Sequence, residues 1–183
     1  MAEKNSLVLI GGGTRSGKSA FALSVARRQG KRRLFLATGQ ARDGEMQARI
    51  LRHRQARGDD FDTLEEPLAV PEVINQQADH DVVVLDFLTL WLANLLLAGK
   101  EPELVLRRVE DLLAVLDSRS IPAVVVTNEV GMGIVPETPL GRTFRDVAGL
   151  AHQRLSRHAD EVYLAILGSI LRIKPMLAYI ESG

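Results

Sequence analysis

Three groups of residues in this 183-residue chain have types and spacings suited to phosphate chemistry. The first is Gly12-Gly13-Thr14-Arg15-Ser16-Gly17-Lys18-Ser19, in which Gly12, Gly17, Lys18 and Ser19 fit the pattern G-x-x-x-x-G-K-[ST]. Glycines let backbone N–H groups close around phosphate oxygens, a lysine reaches the terminal phosphates, and a serine hydroxyl can face Mg²⁺. The second is Asp86, the acid that ends the apolar run DVVVLD. An acid delivered by a buried strand can hold Mg²⁺ directly or through water, or it can simply cap the next helix. The third is His53, crowded by Arg49, Arg52, Arg54 and Arg57. Nearby cations lower a histidine's proton affinity and attract a polyphosphate, and a neutral imidazole beside a triphosphate is a nucleophile. A plainer reading of the same residues is a histidine at the edge of an apolar stripe, with the arginines on a solvated helix face.

These groups need elements to position them. A phosphate loop requires a strand before it and a helix after it, and the chain offers a strand over 6–10 and a helix over 20–29, whose dipole would favour an anion. RLFLAT (33–38) reads as a second strand, parallel to the first through a right-handed crossover. On that reading Thr38, Gly39 and Gln40 sit beside the phosphate loop. Residues 43–57 carry the marks of a helix, with Asp43 as its cap, Glu45 facing Arg49 and Gly58 as its stop. Residues 61–66 read either as a short strand or as an extended connection, and Pro67 with Pro71 marks the approach to a helix through about Gln77. Further strands fall at 81–86, 123–127 and 161–167, with helices at 87–97, 103–119 and 143–158. Between Thr127 and the last helix lies GMGIVPETPLG, a glycine- and proline-rich stretch that is either a substrate-contacting loop or only a long connection. The tail beyond Leu167 contains a short apolar segment with no assignable partner.

Composition excludes several alternatives. Lys+Arg and Asp+Glu both number 23, so no global field draws the chain to nucleic acid or an anionic membrane. Without cysteine there is neither a disulfide nor a thiolate metal site. The apolar run 87–98 is too short to span a bilayer, and MAEKNS leads straight into the first strand without a signal peptide. The expectation is one cytoplasmic domain over 1–183, of the α/β class: a P-loop nucleotide-binding fold with a mainly parallel central sheet flanked by helices.

The order of these pieces resembles the bifunctional adenosylcobinamide kinase/adenosylcobinamide-phosphate guanylyltransferase family of cobalamin biosynthesis. The resemblance runs over nearly the whole chain, through GGTRSGKS (12–19), LATGQ (36–40), DGEMQARILRHR (43–54), LDFLTLWLANLL (85–96) and the block from Thr127 to Leu164. It implies phosphorylation of adenosylcobinamide by ATP or GTP, then transfer of GMP from GTP to the new phosphate through a GMP-histidine intermediate, with Mg²⁺ as cofactor and a homotrimer as the assembly. His53 matches the family's guanylylated histidine, and Lys18 would act with it in catalysis. Residue by residue, Gly12 to Ser19 would hold nucleotide phosphates, while Thr38, Gly39, Gln40, Arg54, Gln55, Ala56, Arg57, Glu65 and Asp86 complete the nucleotide site. Ser19 and Asp86 would hold the metal. The chain departs from the family pattern at His152, where many relatives carry asparagine, and at 168–172, which lacks a frequent proline. The competing functions are a simple P-loop kinase of another small hydroxyl compound and a nucleotide-dependent regulatory module.

Overall fold

The computed structural model describes residues 6–39, 58–77, 79–118 and 121–175. These form one seven-stranded sheet of β1 (Leu7–Gly12), β2 (Arg33–Ala37), β3 (Asp62–Glu65), β4 (Val82–Asp86), β5 (Ala123–Val126), β6 (Glu161–Ile166) and β7 (Ser169–Lys174), ordered β3-β2-β4-β5-β1-β6-β7. Neighbours from β3 across to β6 are parallel, and β7 returns antiparallel to β6. The helices are α1 (Lys18–Gln29), α2 (Val70–Gln76), α3 (Leu88–Leu97), α4 (Pro102–Ser118) and α5 (Pro139–His158).

The strands at the centre read as unbroken apolar runs because both sheet faces are covered. Val8, Ile10, Val84 and Val126 turn toward Ala22, Leu23 and Ala26 of α1. Their neighbours Leu7, Leu9, Leu85 and Val125 turn the other way, into a larger cluster with Trp91, Leu112, Val147 and Leu155 from α3, α4 and α5. Fully burying such side chains contributes about 1.5–3 kcal/mol each. Trp91 is wholly buried without orphaning its indole, since Nε1 donates to Leu68 O at 2.9 Å.

Two local features differ from the sequence reading, and a third decides between its alternatives. The tail segment has a partner after all: Leu167 and Gly168 take φ of 51° and 79°, a two-residue turn that folds β7 back onto β6. The last helix starts at Pro139 rather than 143, because the Thr138 side chain accepts from Gly141 N–H at 3.1 Å and proline suits the first helical position. The ambiguous stretch before Pro67 is the short edge strand β3, which reads poorly because its side chains are largely exposed.

Strand order also shows that the strand leading to Thr38 and Gly39 is not the immediate neighbour of the one leading to the phosphate loop. The β1–α1–β2 crossover exists, but β5 and β4 are inserted between its two strands. Pairing partners are chosen by the whole sheet, and sequence adjacency does not decide them.

Candidate nucleotide site

All parallel strands point their carboxyl ends to one edge of the sheet, where open α/β sheets bind ligands. The phosphate loop leaves β1 at this edge. Gly12 is pressed so close to β6 that a methyl group there would lie 2.5 Å from Ala165 O and 2.7 Å from Ser16 Oγ. Arg15, although not glycine, is held at a φ of 56°, a conformation that recurs at ligand clamps. Gly17 at a φ of 93° precedes α1, whose first turn has neither an acidic residue nor a side-chain cap. That leaves the positive helix end open to an anion.

Lys18 is only 4% exposed, and its Nζ donates to Gly13 O at 3.0 Å and lies 5.3 Å from the Phe87 ring centroid. Ser16 Oγ is buried and has no hydrogen-bond partner among the described residues. A buried hydroxyl beside a glycine cradle is a donor that a phosphate oxygen can satisfy. Ser19 is half-buried on the first turn of α1.

Asp86 ends β4 with 7% exposure, in register with Ala37 on one side and Val126 on the other. The N-cap position of the following helix is Phe87. One strand, β5, separates Asp86 from β1, about 10 Å at ordinary strand spacing. Thr38 is tied to this strand end: its N–H donates to Asp86 O at 3.2 Å, and its hydroxyl donates to Phe87 O at 2.7 Å and accepts from Phe87 N–H at 3.1 Å. Asn94, which interrupts the apolar α3, donates to Thr38 O at 2.8 Å and Pro67 O at 3.2 Å. Its role is to brace this edge.

Glu65 lies exposed at the end of β3, in register with Ala37. It is four strands from β1, about 19 Å away along the edge. The loop, Asp86, Thr38, Gly39 and Glu65 therefore share one edge of the sheet, and Phe87 links two of them, its ring beside Lys18 and its backbone bonded to the Thr38 hydroxyl. His53, with Gln40, Arg54, Gln55, Ala56 and Arg57, lies outside the described residues. Among the described residues no group of three or more His, Asp or Glu side chains could enclose a metal by itself. A metal held by Ser19 and Asp86 would thus rely on phosphate and water for its other ligands.

Reading the sequence residue by residue did not reveal a polar cluster behind the loop. Glu129 N–H donates to Gly12 O at 3.1 Å, His152 Nε2 lies 2.7 Å from Thr127 Oγ1, and His152 Nδ1 lies 3.7 Å from Glu129 Oε2. These three residues line a groove of about 400 Å³ with Arg157 and Tyr163. The available signal was the abrupt end of AVVV in Thr127-Asn128-Glu129, a strand delivering polar groups to the site edge. Burial pushes the His152 imidazole below its ordinary value, with the Glu129 carboxylate pulling the other way.

A histidine whose folded pKa is depressed binds its proton more readily when unfolded. Its penalty is absent above the ordinary value of about 6.5 and grows as pH falls below it, until the folded group also titrates. Replacing His152 with asparagine should therefore flatten the loss of stability between pH 7.5 and 5.5. Urea unfolding of both proteins at the two pH values measures this, and equal losses in the two would refute it.

The fold and this site define a P-loop nucleotide-binding α/β protein. Among solved structures, a KaiC-like protein PH0186 from Pyrococcus horikoshii OT3 matches with a TM-score of 0.50 and 13% identity, over 87% of this chain and 70% of that one. The RadB recombinase matches with a TM-score of 0.52 and 17% identity, over 87% and 73%. At these identities the likeness concerns the fold alone. Sequence relatives are much nearer. The bifunctional adenosylcobalamin biosynthesis protein CobU of Escherichia coli K12 is 37% identical over 181 residues, 92% of this chain and 99% of that one. The bifunctional adenosylcobalamin biosynthesis protein CobP of Pseudomonas aeruginosa is 39% identical over 167 residues, 91% and 96% of the two chains. Residues 8–173 match the pattern of the CobU family, described as cobinamide kinase / cobinamide phosphate guanyltransferase. The chain belongs to this family, and its members named here are bifunctional enzymes of adenosylcobalamin biosynthesis.

Proposed function

We propose that this chain phosphorylates adenosylcobinamide with ATP or GTP and then transfers GMP from GTP to adenosylcobinamide phosphate, releasing pyrophosphate. The observation that carries the proposal is a phosphate cradle, with buried Lys18 and a Ser16 hydroxyl that has no partner among the described residues, inside a chain whose family match spans 8–173. A nucleotide laid along the carboxyl edge would have its phosphates at Gly12 to Ser19 and its remainder toward Thr38, Gly39 and Glu65.

In the kinase step, Lys18 and the loop N–H groups stabilise charge on the transferring phosphoryl group while the corrinoid hydroxyl attacks. Ser19 and Asp86 would hold Mg²⁺, which would supply further charge neutralisation at the phosphate oxygens. In the guanylyl step, a neutral His53 nitrogen attacks the α-phosphorus, the bond to the bridging oxygen breaks, and pyrophosphate departs. An oxygen of the corrinoid phosphate then attacks the same phosphorus and displaces His53 as the P–N bond breaks. Arg54 and Arg57 would neutralise charge on the α-phosphate and the leaving pyrophosphate. Homotrimeric assembly and a cytoplasmic site of action belong to the same proposal, and the native mass in solution tests the first. No helix among the described residues is long and apolar enough to cross a membrane.

Guanylyl transfer must read guanine, whereas phosphoryl transfer needs only a γ-phosphate. Incubated with adenosylcobinamide, the protein should yield the phosphate with either ATP or GTP and the GMP adduct with GTP alone, as resolved by mass spectrometry of the corrinoid. Phosphorylation without any GMP adduct would instead identify a simple kinase, and equal nucleotidyl transfer from both nucleotides would contradict the guanine requirement. Slow hydrolysis with no corrinoid product would favour a regulatory module.

A further inference from the structure

The loop between β5 and α5 combines firm anchoring with exposed apolar side chains. At its start, Glu129 N–H is bonded to Gly12 O of the phosphate loop, and the Glu129 carboxylate accepts from Gly131 N–H at 2.6 Å. Arg145 of α5 donates to Gly131 O at 2.5 Å, while Arg142 donates to Pro136 O at 3.1 Å and Glu137 O at 2.6 Å. Val130 packs against the core. Yet Met132, Ile134 and Val135 stand 80%, 96% and 62% exposed. Two guanidinium groups and a carboxylate thus brace a backbone whose next large side chains are left largely exposed. A clustered apolar surface at a rim otherwise built for phosphate marks a place where an apolar body docks.

Resting on the functional reading above, we propose that Met132, Ile134 and Val135 form the corrinoid grip, packing against the apolar face of the macrocycle while its hydroxyl-bearing arm enters the phosphate loop. Position supports this occupant. Met132 is three residues from Glu129, itself bonded to the phosphate loop, which is a reach of at most about 10 Å. The acceptor must bring one small hydroxyl to the γ-phosphate, so its much larger ring has to rest just outside the loop. Glycines at 131 and 133 place no side chain on either side of Met132. A second copy of the chain fits less well, because three side chains fall short of the about 800 Å² per partner that a stable interface requires.

The test is the full chain carrying Met132→Ser, Ile134→Ser and Val135→Ser together, compared with wild type and with a Met132→Leu, Ile134→Leu, Val135→Leu control. Cobinamide binding is followed by its visible absorbance in equilibrium dialysis, and steady-state kinase rates are measured against adenosylcobinamide and ATP separately. The serine variant should bind cobinamide at least tenfold more weakly and raise KM for adenosylcobinamide by a similar factor. Its KM for ATP and its thermal midpoint should not move, and the leucine control should bind within about threefold of wild type. Unchanged corrinoid affinity in the serine variant would overturn the grip while leaving the functional reading intact. A fall in native mass on substitution would also overturn it, showing that the loop joins copies of the chain. A wild type that fails to phosphorylate adenosylcobinamide at all would overturn the functional reading, and the grip with it.

Discussion

Replacing Lys18 with alanine is expected to lower kcat/KM for corrinoid phosphorylation by at least about 10²-fold, the scale seen when one preorganised charge-stabilising group is removed. Guanylyl transfer should fall with it, because both reactions act on a nucleotide polyphosphate held by the same loop. The physical basis is the placement of the ammonium group. Lys18 is buried at the start of α1, with Nζ held by Gly13 O and beside the Phe87 ring, so its charge acts where water is largely excluded. Truncation could also leave a cavity, and Lys18→Met, which keeps the aliphatic stem, separates lost charge from lost packing. Both variants should show this loss with unfolding midpoints near that of wild type. A folded Lys18→Ala protein with full activity from either donor would remove Lys18 from the mechanism.

The second large effect concerns His53, where the expected outcome is a separation of the two activities. Wild-type protein incubated with α-labelled GTP should acquire label through a phosphoramidate bond, lost in acid and retained in alkali. His53→Asn should take up none, and its formation of the GMP adduct should fall to background. Phosphorylation of adenosylcobinamide uses the substrate hydroxyl as nucleophile, so the same variant should keep appreciable kinase activity. The imidazole must be unprotonated to attack. Undiminished labelling of His53→Asn would exclude this residue as the nucleophile. Loss of both activities in a folded variant would show that the two functions share His53.

Some of this architecture was legible because its signals are local. LVLIGG, VVVLD and AVVV read as buried strands since strands covered on both faces need no polar alternation. The phosphate loop was legible because backbone approach to phosphate tolerates few residue types, and the packing at Gly12 shows the same constraint from the protein side. Thr138-Pro139 carried a helix-start signal that the apolar pattern from 143 obscured. β3 and β7 were harder because short edge strands expose much of their length and lose the burial pattern that marks a strand. The family was readable from longer blocks, which a phosphate loop alone could not supply.

The sequence by itself determined the α/β class, the phosphate loop with Lys18 and Ser19, the acid at the end of β4, and membership of a two-activity family. Each of these resides in contiguous residues, where spacing along the chain is spacing in space. Only the tertiary structure decided that β5 stands between β1 and the strand ending in Asp86, that Thr38 is bonded to Asp86 and Phe87, and that Glu65 is four strands from β1. It also brought His152 to Thr127 and Glu129, joining α5 to the end of β5 across 25 residues of chain. The reason is that parallel strands pair through long crossovers, so their order follows from how helices cover the two sheet faces, and no local run of residues encodes it.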